Sequence, residues 1–445
     1  MEALIENFLG YAFGVMLMIF ILYYYLKSNA KKSKDVSKKI DKAKELGFYE
    51  PNSLHPVIDT DTCIGSGACV AACPEHDILG IVNGKGTTIN ASRCVGHGAC
   101  FHACPVQAIS LCIGTEQRGV ELPHVSQEFE TTIPGLFIAG ELGGMGLIKN
   151  AVEQGKKAIT NLSEKIKPSK NGKYDIIVVG AGPAGISASL EATKRKLKLL
   201  TLEQDTLGGT VSNFPRQKIV MTNPMDLPLY GKIQLYETSK VELLELWTNV
   251  LTKNNVTINE LEKVESIQRD NGHFSVTTNK NTYNTSGVLL AIGRQGSPRK
   301  LGVPGESKEK VSYRLLEPEM IHNKNILVVG GGDSAIESAM LLAEENNYVT
   351  LSYRKENFSR VKPKNLERIN KAIKQGKIKL LFNSQVKEIL DDRVILNLNN
   401  NSEEKIINND LVYIFAGGVL PTKFLEEIGI RITKKFGDAI LKHSR

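Results

Sequence analysis

The chain has 445 residues, of which 41% are hydrophobic and 23% charged. This composition is that of an ordinary globular protein, and the length leaves room for two or three domains with full cores. The net charge of +8 does not indicate nucleic-acid binding, because eight lysines between Lys27 and Lys44 account for most of it. All seven cysteines lie within residues 63–112. In a chain of this size, that grouping favours metal ligation over the disulfide framework of a small secreted protein.

The first predicted element is a transmembrane helix over residues 8–26, FLGYAFGVMLMIFILYYYL, which carries no charge. Three tyrosines at its end suit the membrane interface, and lysines follow them. The positive-inside rule then predicts a short outer tail over 1–7, a basic juxtamembrane linker over 27–50, and a body on the cytoplasmic side of the cytoplasmic membrane. A buried core helix is the alternative; a signal peptide is disfavoured because a basic start and a cleavage site are missing.

The cysteines form two runs of one spacing, CIGSGACVAACP at 63–74 and CVGHGACFHACP at 94–105. Each run resembles the cluster-binding run of a two-cluster bacterial-type ferredoxin, Cys-x2-Cys-x2-Cys-x3-Cys-Pro, with its second cysteine replaced. The resemblance covers residues 51–112 and implies that the last cysteine of each run crosses to the other cluster. The implied ligands are Cys63, Cys69 and Cys104 with Ser66 at the fourth corner of one cluster, and Cys94, Cys100 and Cys73 with His97 at the fourth corner of the other.

The two replacements have different chemical consequences. A serine hydroxyl binds iron poorly unless it is deprotonated, so the Ser66 corner is expected to be open, as in a [3Fe-4S] cluster, or labile in a [4Fe-4S] cluster. A neutral imidazole at His97 removes one thiolate charge and is expected to raise the reduction potential. Degenerate sites and zinc are the alternatives, although zinc sites usually contain close pairs such as Cys-x2-Cys. Cys112 follows an apolar run and is expected to be a buried thiol, not a ligand.

From Tyr174 the sequence predicts a dinucleotide-binding unit over residues 174–298, with an apolar strand, a glycine turn, a helix and a second strand that ends in an acid. The glycines permit a tight bend and close approach of a pyrophosphate to the helix N-terminus. The acid, placed to bind ribose hydroxyls, is Glu203. The other predicted contact residues are Gly180, Gly182, Pro183, Ala184 and Gly185.

A second dinucleotide-binding unit is predicted over residues 299–408, where NILVVGGGDSAIESAMLLA again joins a strand to a helix. Arg354 and Lys355 stand at the end of the following strand, where an acid would favour NAD(H). Because cations suit a 2′-phosphate, NADP(H) is favoured over NAD(H), with a solvated strand end as the competing explanation. The predicted contact residues of the glycine turn are Gly330, Gly332, Asp333, Ser334 and Ala335.

The order of these two units resembles the thioredoxin-reductase-like flavoproteins, whose first unit binds FAD and whose second binds NAD(P). The resemblance implies that TLGGTVSNFPRQK, with Gly208 and Gly209, runs past the flavin ring. It also implies that Gly293 lies in the crossover out of the FAD domain, and that residues 409–445 return to that domain.

Two features depart from that family. No cysteine follows Cys112, so the family's redox dithiol is absent and relay to thioredoxin through it is excluded. The family's closing segment stands ahead of the first unit, with Gly140-Glu141 in the place of Gly-Asp. A circular permutation is expected, with residues 113–164 as the closing segment and 165–173 as a linker. A swapped dimer, in which this segment completes the partner's flavin site, is the alternative.

These features predict an α/β protein with two Rossmann-like dinucleotide-binding domains, a small α+β ferredoxin-like domain and one N-terminal transmembrane helix. The expected function is a membrane-anchored, FAD-dependent NAD(P)H oxidoreductase that passes electrons between nicotinamide, FAD and two iron–sulfur clusters, without a catalytic side chain. The alternatives are a reductase of a small disulfide or organic acceptor with structural clusters, and a non-catalytic electron-transfer subunit of a membrane complex. The redox partner, the direction of electron flow and the quaternary state, including a homodimer, stay open.

Overall fold

In a computed structural model, the chain divides into two compact units. The first unit consists of Met1–Val120 and Lys435–Arg445, and the second unit consists of Glu121–Lys434. His97 and residues 167–173 of the predicted linker lie outside the described residues. The structure describes residues 2–45, 49, 51, 54–75, 77–94, 96, 98–117, 119–144, 146–166, 174–215, 219–270, 272–294, 296–358, 361–399 and 402–443.

The described residues form both helices and strands. The helices are α1 (Glu2–Glu45), α2 (Ala68–Ala72), α3 (Ala99–Ala103), α4 (Ile148–Lys165), α5 (Pro183–Lys194), α6 (Lys240–Lys253), α7 (Asp333–Glu344), α8 (Pro363–Lys374) and α9 (Thr422–Ile428). The first strands are β1 (Leu54–Ile58), β2 (Leu79–Val82), β3 (Lys85–Thr88), β4 (Ile109–Ile113), β5 (Val120–Pro123), β6 (Leu136–Ile138), β7 (Tyr174–Val179), β8 (Leu199–Leu202), β9 (Ile219–Met221), β10 (Met225–Leu227), β11 (Gly231–Ile233), β12 (Glu237–Ser239), β13 (Ile258–Asn259) and β14 (Val264–Asp270). The remaining strands are β15 (His273–Thr278), β16 (Thr282–Leu290), β17 (Ser297–Pro298), β18 (Val311–Ser312), β19 (Asn325–Val329), β20 (Tyr348–Ser352), β21 (Ile378–Leu381), β22 (Ser384–Ile389), β23 (Arg393–Leu398), β24 (Glu403–Asn408), β25 (Leu411–Ile414), β26 (Gly418–Val419), β27 (Ile432–Lys435) and β28 (Asp438–Leu441).

Helix α1 is continuous through the apolar run and the basic segment after it. The segment predicted as a juxtamembrane linker is therefore helical as far as Glu45, because it contains no proline or glycine up to that residue and is rich in lysine. Its last turns pack on other residues of the first unit, where Ala43 is buried and the Ser33 hydroxyl accepts a hydrogen bond from the Asn83 N–H (3.0 Å). The part of α1 from Tyr11 is long and apolar enough to cross a bilayer, and its large apolar side chains from Tyr11 to Leu26 are exposed.

The first unit has two similar halves around a three-stranded sheet of order β1-β4-β28. In each half a short helix begins after a glycine in the left-handed region and ends just before the last cysteine of the run. Helix α2 contains Cys69, and α3 contains Cys100. Strand β28 pairs antiparallel with β4. Residues 435–445, assigned from sequence to the return of the FAD domain, thus belong to this unit. The reason is that a free edge of β4 accepts a strand from a distant part of the chain, a pairing with no local signal.

The second unit contains the two dinucleotide-binding sheets. The first sheet has the order β13-β8-β7-β16-β15-β14, and β6 also pairs with β16. Strands β6, β7 and β8 are parallel to their neighbours, and their side chains are almost completely buried because helices α4 and α5 cover one face. Helix α9 packs on the other face through Leu425.

The second sheet is a parallel sheet of order β18-β25-β19-β20-β21, followed in the chain by the antiparallel meander β22-β23-β24. Helices α7 and α8 bury Ile336, Ala339 and Ile369 against it. The two connections between the sheets run side by side, since β17 pairs antiparallel with β26. This arrangement gives two α/β layers, each with a glycine turn at the carboxyl end of its central strand.

Candidate functional site

Three cysteines from both runs line one open cavity in the first unit. Cys63 and Cys69 of the first run line it together with Cys104, the last cysteine of the second run. Ser66, an exposed residue, lines the same cavity. The crossed grouping expected for this cluster is therefore present in the geometry, with Ser66 beside the three thiols.

The remaining cysteines of the two runs form the second group. The pKa of Cys94 is raised to about 11 and that of Cys100 to about 12, mainly by burial and in smaller part by the nearby Cys73. Burial also raises the pKa of Cys69, and its neighbours Cys104 and Cys63 add to the shift. Buried thiols that raise each other's pKa are costly to ionise unless a metal replaces their protons.

Backbone N–H groups point at the sulfurs in both groups. The Sγ of Cys63 accepts hydrogen bonds from Gly65 (3.4 Å) and Gly86 (3.3 Å), and that of Cys94 accepts one from Gly96 (3.4 Å). The Sγ of Cys104 accepts one from Ala108 (3.2 Å). Such bonds stabilise negative charge on sulfur and adjust cluster potentials. The donor Gly86, on strand β3, was missed from sequence because the signal is a three-dimensional contact.

The thiol groups fit iron–sulfur clusters better than a single ion. Among the described residues, no group of three or more cysteine, histidine or acidic side chains is arranged to hold one metal ion. In an iron–sulfur cluster each cysteine binds its own iron, so the sulfurs need to surround a volume and not a point. The cavity beside Cys63, Cys69 and Cys104 meets that condition. Cys112 is buried in β4 and does not line this cavity.

The glycine turn after β7 has the shape that a pyrophosphate requires. Gly180 has φ of 104°, and a Cβ on Gly185 would overlap the Gly180 carbonyl oxygen, so both positions need glycine. A Cβ on Gly182 would meet nothing within 4 Å, which leaves open space at the N-terminus of α5. Pro183 is the first residue of that helix and Ala184 is buried beneath it. This is the anion-binding arrangement of a dinucleotide fold.

Glu203 and the Gly208-Gly209 turn complete the same edge. The Glu203 carboxylate accepts hydrogen bonds from the N–H groups of Ala181 (2.7 Å) and Asp205 (2.9 Å). Burial raises its pKa and these two donors lower it in part. The Gly208 N–H donates to the Ala181 carbonyl (2.9 Å), so this turn lies against the glycine turn. Glu203 is thus held at the strand end with lone pairs left for a ribose.

The segment predicted to close the flavin site packs against the glycine turn of its own chain. Strand β6 pairs with the end of β16, and α4 packs on α5 so closely that a Cβ on Gly155 would overlap the Ala184 carbonyl oxygen. Gly140 lies against Ala184, and its N–H donates to Gln154 (2.8 Å). Glu141 follows Gly140. Desolvation raises the pKa of the Glu141 carboxyl, and the nearby Arg294 lowers it by a smaller amount. Gly293 directly precedes Arg294 at the end of the β16 turn.

The second glycine turn has a similar form with one difference. Gly330 has a positive φ and Ala335 is buried, while a Cβ on Gly332 would meet nothing within 4 Å. The carboxylate of Asp333 accepts hydrogen bonds from the Lys362 N–H (3.0 Å) and from Asn365 (2.8 Å), so it is engaged within the fold. The exposed residues at this edge are Ser334, Arg354 and Lys355. Their roles toward a cofactor stay predictions.

The family described as pyridine nucleotide-disulphide oxidoreductase matches residues 177–442, and the 4Fe-4S dicluster domain matches residues 55–105. The bacilliredoxin reductase Bdr of Bacillus subtilis is 27% identical over 59% of this chain and 82% of its own length. A ferredoxin–NADP reductase of Ignicoccus hospitalis is 29% identical over 48% of this chain and 66% of its length. The solved bacillithiol disulfide reductase Bdr (YpdA) of Staphylococcus aureus has a TM-score of 0.52 and 26% identity, over 59% of this chain and 81% of that structure.

Proposed function

This chain belongs to the pyridine nucleotide-disulphide oxidoreductase family and carries a 4Fe-4S dicluster domain, and we propose that it passes electrons between NADP(H), FAD and two iron–sulfur clusters. The observation that carries the proposal is the cavity shared by Cys63, Cys69 and Cys104, in a chain that also has two dinucleotide-binding glycine turns. FAD, when bound, supplies the exchange between the electron pairs of nicotinamide and the single electrons of clusters. One NADPH therefore supplies two single-electron reductions.

Each cofactor has an assigned set of residues in this proposal. The turn at Gly180 and Gly182 cradles the FAD pyrophosphate, Glu203 binds the adenosine ribose, and Gly140-Glu141 closes the site from the permuted segment. For NADP(H), the turn at Gly330–Ala335 holds the pyrophosphate, and Arg354 and Lys355 bind the 2′-phosphate. Because no cysteine follows Cys112, the redox dithiol of the resembling flavoproteins is absent here, and this supports clusters as the exit for electrons.

A circular permutation of the family's closing segment is part of this proposal. A linear match covers 82% of the Bacillus subtilis relative, which leaves 18% unmatched, as expected if a terminal segment stands elsewhere in this chain. The position of β6 beside β16 supports the same conclusion. We also propose that the apolar part of α1 anchors the protein in the cytoplasmic membrane, with the catalytic body in the cytoplasm; its exposed apolar side chains and the lysines that follow support this. The proposal includes a redox partner that is not identified, and it allows a homodimer.

A second candidate is reduction of a small disulfide, which the similarity to bacilliredoxin reductase favours. In that case the clusters would be structural.

Anaerobic reduction of the purified protein separates the two candidates. We expect NADPH to reduce the clusters more efficiently than NADH, as followed by their absorbance and paramagnetic signals. A Gly182→Val variant should lose this reduction while keeping its iron, because its new side chain fits the free protein but fills the pyrophosphate space. Reduction of a disulfide by NADPH with clusters that stay oxidised would instead establish the second candidate.

A Ser66→Cys variant is expected to convert an open corner into a fully ligated one. The oxidised wild-type protein should show the paramagnetic signal of a three-iron cluster, and the variant should lose it as a fourth iron is retained. Ser66→Ala is the matched control and should behave as the wild type, because the hydroxyl is exposed and, among the described residues, accepts only a long hydrogen bond from Ala68 (3.5 Å). Loss of iron in Ser66→Ala would show that the hydroxyl is itself a ligand.

A further inference from the structure

The turn after β16 meets the first glycine turn at the carboxyl edge of the sheet. Strands β6, β7 and β16 are parallel, and Leu290 of β16 is paired with both Ile138 of β6 and Val179 of β7. The contact continues past the strand ends, since a Cβ on Gly180 would lie 2.5 Å from the Ala291 carbonyl oxygen. Ligands of such sheets bind outside this edge. The residues that follow Ala291 therefore border the FAD site.

Two opposite charges stand in these turns. Arg294 lies three residues after Ala291, and Glu141 directly follows Gly140, whose Cβ position is 3.2 Å from the Cβ of Ala184 on helix α5. Arg294 thus follows a backbone segment that contacts the glycine turn, and Glu141 follows one that contacts helix α5. Within the described part of the chain they interact through their charges and not through a hydrogen bond.

The guanidinium of Arg294 has donors to spare. The side chain is half-buried, and among the described residues its guanidinium donates no hydrogen bond. Burial lowers its pKa, and Glu141 opposes that shift. The side chain of Glu141 is exposed, yet neighbouring protein atoms desolvate its carboxyl and raise its pKa. A desolvated guanidinium with five N–H donors is costly unless an anion binds it.

We propose that Arg294 binds an anionic group of FAD and that Glu141 is the counter-charge that positions the guanidinium. The inference rests on the proposed FAD site and adds a residue to it. FAD offers two such groups, the pyrophosphate and the isoalloxazine ring, which gains negative charge on reduction. Arginine suits either group because its planar donors match anionic oxygens in pairs.

Substitutions of the pair identify the group. If the pyrophosphate is bound, Arg294→Gln should weaken FAD binding to the deflavinated protein by about 10- to 100-fold, with an unchanged midpoint potential for the rebound flavin. If the reduced ring is bound, Arg294→Gln should keep FAD and lower its midpoint potential, while Glu141→Gln should raise it. Arg294→Lys, which keeps the charge, should recover part of either effect.

Fluorescence titration and spectroelectrochemistry measure these quantities without turnover. Arg299→Gln is the matched control, because Arg299 is exposed in the same crossover and its loss changes the net charge equally. Wild-type affinity and potential in Arg294→Gln would overturn the proposal. Failure of the wild-type protein to bind FAD would overturn the proposed function instead.

Discussion

A Cys104→Ser variant is expected to lose the cluster that Cys63 and Cys69 bind, although Cys104 belongs to the other cysteine run. The reason is that Cys104 lines the cavity of the first run and raises the pKa of Cys69 by proximity. The iron content should fall by about half, since one of two clusters is lost. The paramagnetic spectrum of the remaining cluster should then match the spectra of the Cys63→Ser and Cys69→Ser variants.

The complementary variants make this result decisive. Cys73→Ser should instead lose the cluster that Cys94 and Cys100 bind, because Cys73 raises the pKa of both of these cysteines. Its spectrum should then match those of the Cys94→Ser and Cys100→Ser variants. Cys112→Ser is the control for replacing a buried thiol and should keep all the iron. A Cys104→Ser spectrum that matches Cys94→Ser would mean that each run holds its own cluster, and the crossed assignment would be wrong.

The sequence predicted the parts of this site that depend on local spacing. Two copies of one cysteine spacing identify the dicluster domain, and a strand, a glycine turn and a helix identify each dinucleotide fold, because each run and each glycine motif lies within about 30 residues. The need for glycine at position 185 could be predicted for the same reason, since its close contact is with Gly180 in the same turn.

The parts that were missed depend on contacts between distant segments. The N–H of Gly86 reaches Cys63 through a hairpin, and β28 joins the iron–sulfur sheet from the other end of the chain. From sequence, Gly293 was predicted as a contact residue and its neighbour Arg294 was not. An arginine beside a glycine turn does not by itself indicate a site, and Glu141 reaches the same edge only through the pairing of β6 with β16. Long-range strand pairing is what sequence periodicity does not encode.

A Gly155→Val variant is expected to lose FAD even though Gly155 is not among the predicted FAD contact residues. Its side chain would overlap the Ala184 carbonyl oxygen, so α4 could not pack on α5 and the Gly140-Glu141 turn would be displaced with it. Overpacking of this kind costs about 1–3 kcal/mol or more. Flavin content per chain, measured by absorbance after gel filtration, should fall well below that of the wild type. Gly146→Ala in the same segment is the matched control, because its Cβ would make only ordinary contacts at 3.8 Å with Glu141.

Co-expression of Gly155→Val with Gly182→Val, each chain carrying a different tag, then tests whether the closing segment serves its own chain. In a swapped dimer, the intact closing segment of the Gly182→Val chain would complete the intact glycine turn of the Gly155→Val chain, and doubly tagged dimers would contain flavin. We expect no such recovery, because β6 pairs with β16 and α4 packs on α5 within one chain. A wild-type protein that binds FAD as a monomer would agree with that expectation, whereas flavin in the mixed dimers would show that the closing segment is exchanged between subunits.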